Sequence, residues 1–186
     1  MKKNDDVLLE NNGIEDSILH IIKNYAQTWD VLLRYDENRL EVAEQSQFDA
    51  VPVISYDEVR EAIQSLSDEL EKQNVSTVYF GREYNDMLKG ILGNLNQSFG
   101  GTPVYPLAEQ RAAHLLYFVI KDHPFRDGNK RIGCLLFLIY LKKAGLNLET
   151  ISNKGLTTLA LFIAESDPSQ KDTTTQLIAN LIAMDR

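Results

Sequence analysis

Nine consecutive residues, His123-Pro-Phe-Arg-Asp-Gly-Asn-Lys-Arg131, bring an imidazole, a carboxylate, an amide, an ammonium and a guanidinium together around one glycine. An apolar run, Ile132–Leu141, follows at once and is long enough for a helix. A polar loop that feeds a helix N-terminus is a ready anion site, because unpaired backbone N–H groups and the positive end of the dipole face the ligand. His123, with an ordinary pKa of about 6.5, is a candidate acceptor for a hydroxyl proton. Asp127 offers the hard oxygen that Mg²⁺ takes when it bridges protein and nucleotide phosphates. Gly128 permits close backbone approach. The Asn129 amide and the first N–H groups of the helix can donate to phosphate oxygens, and Lys130 and Arg131 add charge-assisted donors. Phe125 reads as a core plug that anchors the loop. This set suits in-line transfer of a phosphorus group from a nucleotide to a hydroxyl, where positioning and charge neutralisation carry most of the catalysis. A capped, solvated helix start would account for Asp-Gly-Asn alone, but not for all nine residues.

The neighbouring elements must hold such a loop rigid. Pro106 pre-sets the first turn of a helix over Leu107–Asp122, with Ala112, Leu115, Leu116, Phe118, Val119 and Ile120 as its apolar positions. After the motif a second helix, Ile132–Ala144, stops at Gly145. Both read as largely buried, which would place the motif at the centre of a bundle. Ser98-Phe-Gly-Gly-Thr-Pro-Val-Tyr-Pro106 carries adjacent glycines and two prolines, and predicts a loop or short hairpin.

Further helices are expected over about Ile14–Leu33, from the Ser55-Tyr-Asp-Glu58 capping box onward, over Met87–Leu95, and over about Leu156–Glu165 and Ser169–Met184. Val75–Phe80 is β-prone but too short to be assigned as a strand. The polar stretch Tyr35–Val53 is the best linker. The expected architecture is all-α: a compact helical bundle with a short hairpin and an extra N-terminal helix. Residues 1–50 form a docking or dimerising extension with its linker, and residues 51–186 the catalytic domain. His20 and His114 read as structural, Cys134 as a small core residue, Tyr25 and Trp29 as packing residues, and the acidic run Asp57–Glu71 as a solvated helix face.

The 186 residues are 44% apolar and carry a net charge of −8. That balance argues against nucleic acid as a partner, which needs clustered Lys and Arg. A single cysteine allows no internal disulfide, and neither a signal peptide nor a membrane-length apolar run is visible. A cytoplasmic protein that neither enters a membrane nor binds nucleic acid is expected.

The nine-residue motif resembles the signature of Fic/Doc proteins, His-Pro-Phe-x-Asp/Glu-Gly-Asn-Gly/Lys-Arg, at every position. The resemblance runs from about Ser55 to the C-terminus. It implies an all-α Fic-type fold, ATP as substrate, Mg²⁺ as cofactor and a protein target modified on a Ser, Thr or Tyr hydroxyl. It implies that His123 deprotonates that hydroxyl, that Asp127 holds Mg²⁺, and that Gly128, Asn129, Lys130 and Arg131 cradle the phosphates. Phe99, Gly100, Gly101 and Tyr105 resemble the flap that aligns the target side chain. The implied reaction is transfer of AMP. Lys130, shared with the Doc branch, keeps γ-phosphoryl transfer as an alternative, with a non-enzymatic nucleotide- or protein-binding module as another. The family's inhibitory pattern Ser/Thr-x-x-x-Glu-Gly/Asn is not found: Glu69 is followed by Leu70, Glu71 by Lys72, and Glu10 and Glu37 have Asp6 and Leu33 four residues earlier. Control by an inhibitory partner protein, control by homo-oligomerisation, and no such control all stay open.

Overall fold

A computed structural model describes residues 20, 22–23, 26–41, 51–148 and 151–184. They divide into two units, Met1–Leu40 and Glu41–Arg186. In the first, helix α1 spans Ala26–Asp36 and carries an Asp30–Arg34 ion pair one turn apart. Most of the expected Ile14–Leu33 helix lies outside the described residues.

The second unit is helical, with one small hairpin. Helix α2 (Tyr56–Lys72) starts on a complete capping box: Ser55 accepts from the Glu58 N–H, and the Glu58 carboxylate accepts from the Ser55 N–H. Helix α3 spans Met87–Leu95, and its Leu88, Ile91, Leu92 and Leu95 are buried. Strands β1 (Ser98–Phe99) and β2 (Thr102–Pro103) pair antiparallel around Gly100-Gly101. Both glycines have positive φ, +58° and +85°. That is the backbone of a two-residue primed turn, so the hairpin alternative is the one that forms.

Helix α4 (Ala108–Lys121) is the axis of the unit. It is buried nearly all round, from Ala112 to Ile120, and packs on α3 and on every later helix. Beside it lies α5 (Asn129–Lys143), likewise apolar on most faces. A Cβ at Gly133 would meet Ile120 Cγ1 at 3.1 Å, so this glycine sets how closely the two helices approach. Helix α6 (Asn153–Glu165), a single 3₁₀ turn (Pro168–Gln170) and α7 (Lys171–Ala183) close the bundle. The described residues thus hold seven helices and one two-stranded sheet, an all-α bundle as expected. No helix among them is long and apolar enough to cross a membrane.

Two boundaries differ from the sequence pattern. Helix α5 begins at Asn129, three residues before the first apolar position, because the Ile132 N–H already reaches Gly128 O at 2.8 Å. Helix α6 begins at Asn153 because Ser152 caps it, accepting from the Gly155 N–H at 3.0 Å.

Candidate active site

The motif occupies the turn between α4 and α5, where the two most buried helices meet. Phe125 is 1% exposed and plugs the core beneath the loop, as its apolar character predicts. Asn129 closes the loop from the other end. Its Oδ1 accepts from the Phe125 N–H at 2.9 Å and its Nδ2 donates to Phe125 O at 2.7 Å. The Asn129 side chain is therefore committed to the loop, and what it could offer an anion is its backbone N–H in the first turn of α5. Gly128, at φ +92°, is the left-handed residue that turns the chain into that helix.

His123 also has positive φ, +49°, uncommon for a residue with a side chain. Its Nδ1 lies 3.2 Å from Lys121 O, and a carbonyl can only accept, so Nδ1 carries the proton. That contact leaves Nε2 as the lone-pair nitrogen, the form a general base requires. Lys121 in turn donates through Nζ to Ala164 O and Ser166 O at the C-terminus of α6. The backbone two residues before His123 is thereby locked to the bundle.

Asp127 and Arg131 sit one helical turn apart and pair at 3.3 Å, both partly exposed. The Thr77 hydroxyl donates to Asp127 Oδ2 at 2.7 Å. That bond, then the Gly128 N–H and the Arg131 charge, hold the Asp127 carboxyl below its ordinary pKa. Arg131 also donates to Val75 O at 3.0 Å and lies over the Phe80 ring, 4.7 Å from its centroid.

The segment that makes these contacts, Val75–Tyr84, has no element of its own. It runs beside the motif loop through Gly81 N–H to Asp127 O at 3.1 Å, Arg126 N–H to Arg82 O at 2.8 Å and Tyr84 N–H to Pro124 O at 2.8 Å. Sequence reading found only a short β-prone run there and missed Thr77. The one available signal was the Val-Tyr-Phe cluster next to Gly81.

The Phe99–Tyr105 hairpin stands elsewhere. Arg111, buried in α4, grips its base through Tyr105 O at 2.9 Å and Asn96 Oδ1 at 3.1 Å. From Arg111 to Lys121, the last residue of α4, the helix axis covers about 15 Å at roughly 1.5 Å per residue, and His123 lies beyond that end. Phe99 at the hairpin is 89% exposed. The Tyr105 ring packs on the His114 ring with centroids 4.0 Å apart, and His114 donates through Nδ1 to Gln110 O at 2.7 Å.

His123, Arg126, Asp127, Gly128, Asn129, Lys130 and Arg131 line one cleft of about 350 Å³. Lys130 and Arg131 also border an apolar groove of about 390 Å³, walled by Leu66 and Leu70 of α2, Cys134 of α5, and Leu156 and Ala160 of α6. Burial pushes the Cys134 thiol up to about 11, so it serves as a wall and not as a nucleophile. No group of three or more His, Cys, Asp or Glu side chains among the described residues could hold a metal. Among the described residues that line the cleft, Asp127 is the single carboxylate. One carboxylate with phosphate and water completing the shell is the donor set that suits Mg²⁺.

The Fic/DOC family model matches residues 53–141, a span that covers α2 through most of α5 and the whole motif. Residues 53–141 thus form a Fic/DOC family domain, and members of that family typically transfer nucleotide or phosphate to proteins. No curated protein and no solved structure matches it.

Proposed function

We propose that the protein is an adenylyltransferase that moves AMP from ATP to a Ser, Thr or Tyr hydroxyl of a target protein. The observation that carries this reading is the His123 ring, whose Nδ1 is engaged by Lys121 O, which leaves the lone pair on Nε2, in the cleft with Asp127, Lys130 and Arg131. Nε2 takes the target's hydroxyl proton as the oxygen attacks the α-phosphorus. The bond from that phosphorus to its β-bridging oxygen breaks, and pyrophosphate leaves. The N–H groups at the start of α5, with Lys130 and Arg131, neutralise the phosphate oxygens. Asp127 would hold Mg²⁺, which supplies further charge neutralisation at the phosphates. The apolar groove that shares Lys130 and Arg131 gives a nucleoside room beside the phosphates.

Target alignment falls to Thr77–Tyr84 on this reading, because its backbone is hydrogen-bonded to the motif loop. The Phe99–Tyr105 hairpin is anchored a helix length away and offers the exposed Phe99 as a contact for the target's body.

One observation favours a second reaction. Lys130 is exposed, borders both cavities, and makes no ion pair among the described residues. An ammonium there could hold a terminal phosphate and turn the nucleotide around for γ-phosphoryl transfer. The purified full-length chain is incubated with cell lysate, Mg²⁺ and ATP labelled at the α- or the γ-phosphorus, and labelled bands are weighed by mass spectrometry. Label from the α-position with an AMP mass increment supports AMP transfer, and label from the γ-position alone replaces it with phosphoryl transfer. Transfer of neither label, with nucleotide still bound, supports a non-enzymatic binding module.

A further inference from the structure

Asp127 and Arg131 must do different things when a nucleotide with its cation is bound: the carboxylate faces the cation and the guanidinium faces phosphate. Here they face one another, Arg131 Nη2 sitting 3.4 Å and 3.3 Å from the two Asp127 oxygens. Both distances are long for a charge-assisted bond, so this contact is loosely aligned. The short contact to Asp127 is the one from Thr77, at 2.7 Å across fifty positions of sequence.

The Thr77 hydroxyl has little freedom to point elsewhere. Its oxygen accepts the Tyr79 N–H at 3.3 Å, which turns its own proton toward Asp127. The segment that carries it is pinned independently of Arg131. The Gly81 N–H donates to Asp127 O at 3.1 Å. Phe80, 7% exposed, is wedged against the Gly128 backbone. A carboxylate held only by Arg131 would lose its orientation once the guanidinium swings to phosphate. One held by Thr77 would keep it.

We infer that Thr77 is a positioning residue for the divalent cation: it keeps the Asp127 carboxylate aimed while Arg131 is released to the nucleotide phosphates. The inference rests on the reading of Asp127 as the cation ligand. Outer-shell partners of metal ligands typically contribute about 10–100-fold in metal affinity, and an exposed hydroxyl belongs at the lower end of that range.

The test uses full-length Thr77→Val and Thr77→Ser. Valine keeps the shape and removes the donor, and serine keeps the donor and removes the methyl. Mn²⁺ binding is measured by electron paramagnetic resonance with α,β-methylene ATP present and no target protein. The Mg²⁺ dependence of transfer is measured separately. Thr77→Val is expected to weaken Mn²⁺ binding about 10-fold and to raise the Mg²⁺ needed for half-maximal rate by a similar factor. Thr77→Ser is expected to recover most of the affinity. Unchanged Mn²⁺ affinity in Thr77→Val, beside a wild type that binds, overturns this inference and leaves the active-site reading standing. A serine variant as weak as valine also overturns it, because the methyl and not the hydroxyl would then matter. Absence of Mn²⁺–nucleotide binding in the wild type overturns the active-site reading and this inference with it.

Discussion

Replacing Gly128 by alanine tests whether the turn into α5 is set by close contact as well as by backbone conformation. The new Cβ would stand 2.4 Å and 2.6 Å from two Phe80 ring carbons and 3.1 Å from a third. Phe80 has little room to retreat, being 7% exposed with the Arg131 guanidinium 4.7 Å from its centroid on one face. Holding alanine at φ +92° costs about 1–2 kcal/mol. Forcing a ring aside in a packed site costs about 1–3 kcal/mol more. The total, about 2–5 kcal/mol, is read from urea unfolding midpoints followed by circular dichroism. A double-mutant cycle with Phe80→Leu separates the parts. Trimming the ring should recover the packing share and leave the backbone share, giving a coupling of about 1–3 kcal/mol. A single-mutant loss below about 1 kcal/mol, or a strictly additive cycle, would refute the reasoning. Either result would mean that the loop and Phe80 move apart freely. Transfer should also fall in Gly128→Ala, since the Phe80 ring supports Arg131.

Three other outcomes are expected. Asn129→Ala should cost about 2–4 kcal/mol, because it leaves the buried N–H and C=O of Phe125 without partners; thermal unfolding with a loss under about 1 kcal/mol would contradict the clamp. His123→Ala should abolish transfer with near-wild-type stability, and His123→Gly should be equally inactive yet up to about 1 kcal/mol more stable, since glycine relieves the φ of +49°. Chemical denaturation of both variants beside wild type checks the pair. Glu58 is drawn down from 4.5 to about 2, first by the Lys143 bond and then by the Ser55 N–H. Its folded state favours the charged form, so its contribution is present above 4.5 and is lost as pH falls toward about 2. Glu58→Gln should flatten that part of the acid limb in unfolding midpoints, and an unaltered limb would remove Glu58 from the account.

Much of the candidate site was legible because its parts are local. His123, Asp127, Gly128 and Arg131 lie within nine residues, and the Gly-to-helix junction and the apolar faces of α4 and α5 obey short-range rules of turn and period. The Gly100-Gly101 hairpin was legible for the same reason: a primed turn needs positive φ at both central residues. The capping box at Ser55 placed the start of α2. Where the pattern failed, a bond formed outside the period. The Gly128 carbonyl and the Ser152 hydroxyl each start a helix ahead of its apolar stripe, through bonds that no hydrophobic count detects.

The sequence by itself determined the chemistry available: a base, a carboxylate and cations ahead of a buried helix, in a bundle of apolar-striped helices. Only the tertiary structure decided which way those groups face and what braces them. It turned His123 Nδ1 toward Lys121 O, tied the Asn129 side chain to Phe125, and set Thr77 against Asp127. It also anchored the glycine hairpin far along α4 from the base and laid Val75–Tyr84 beside the motif instead. The physical reason is that helix stripes and turns repeat along the chain, whereas bonds between two irregular backbone segments follow no period. Such bonds become visible only when packing brings residues fifty positions apart to within 3 Å, as it does for Thr77 and Asp127 at 2.7 Å.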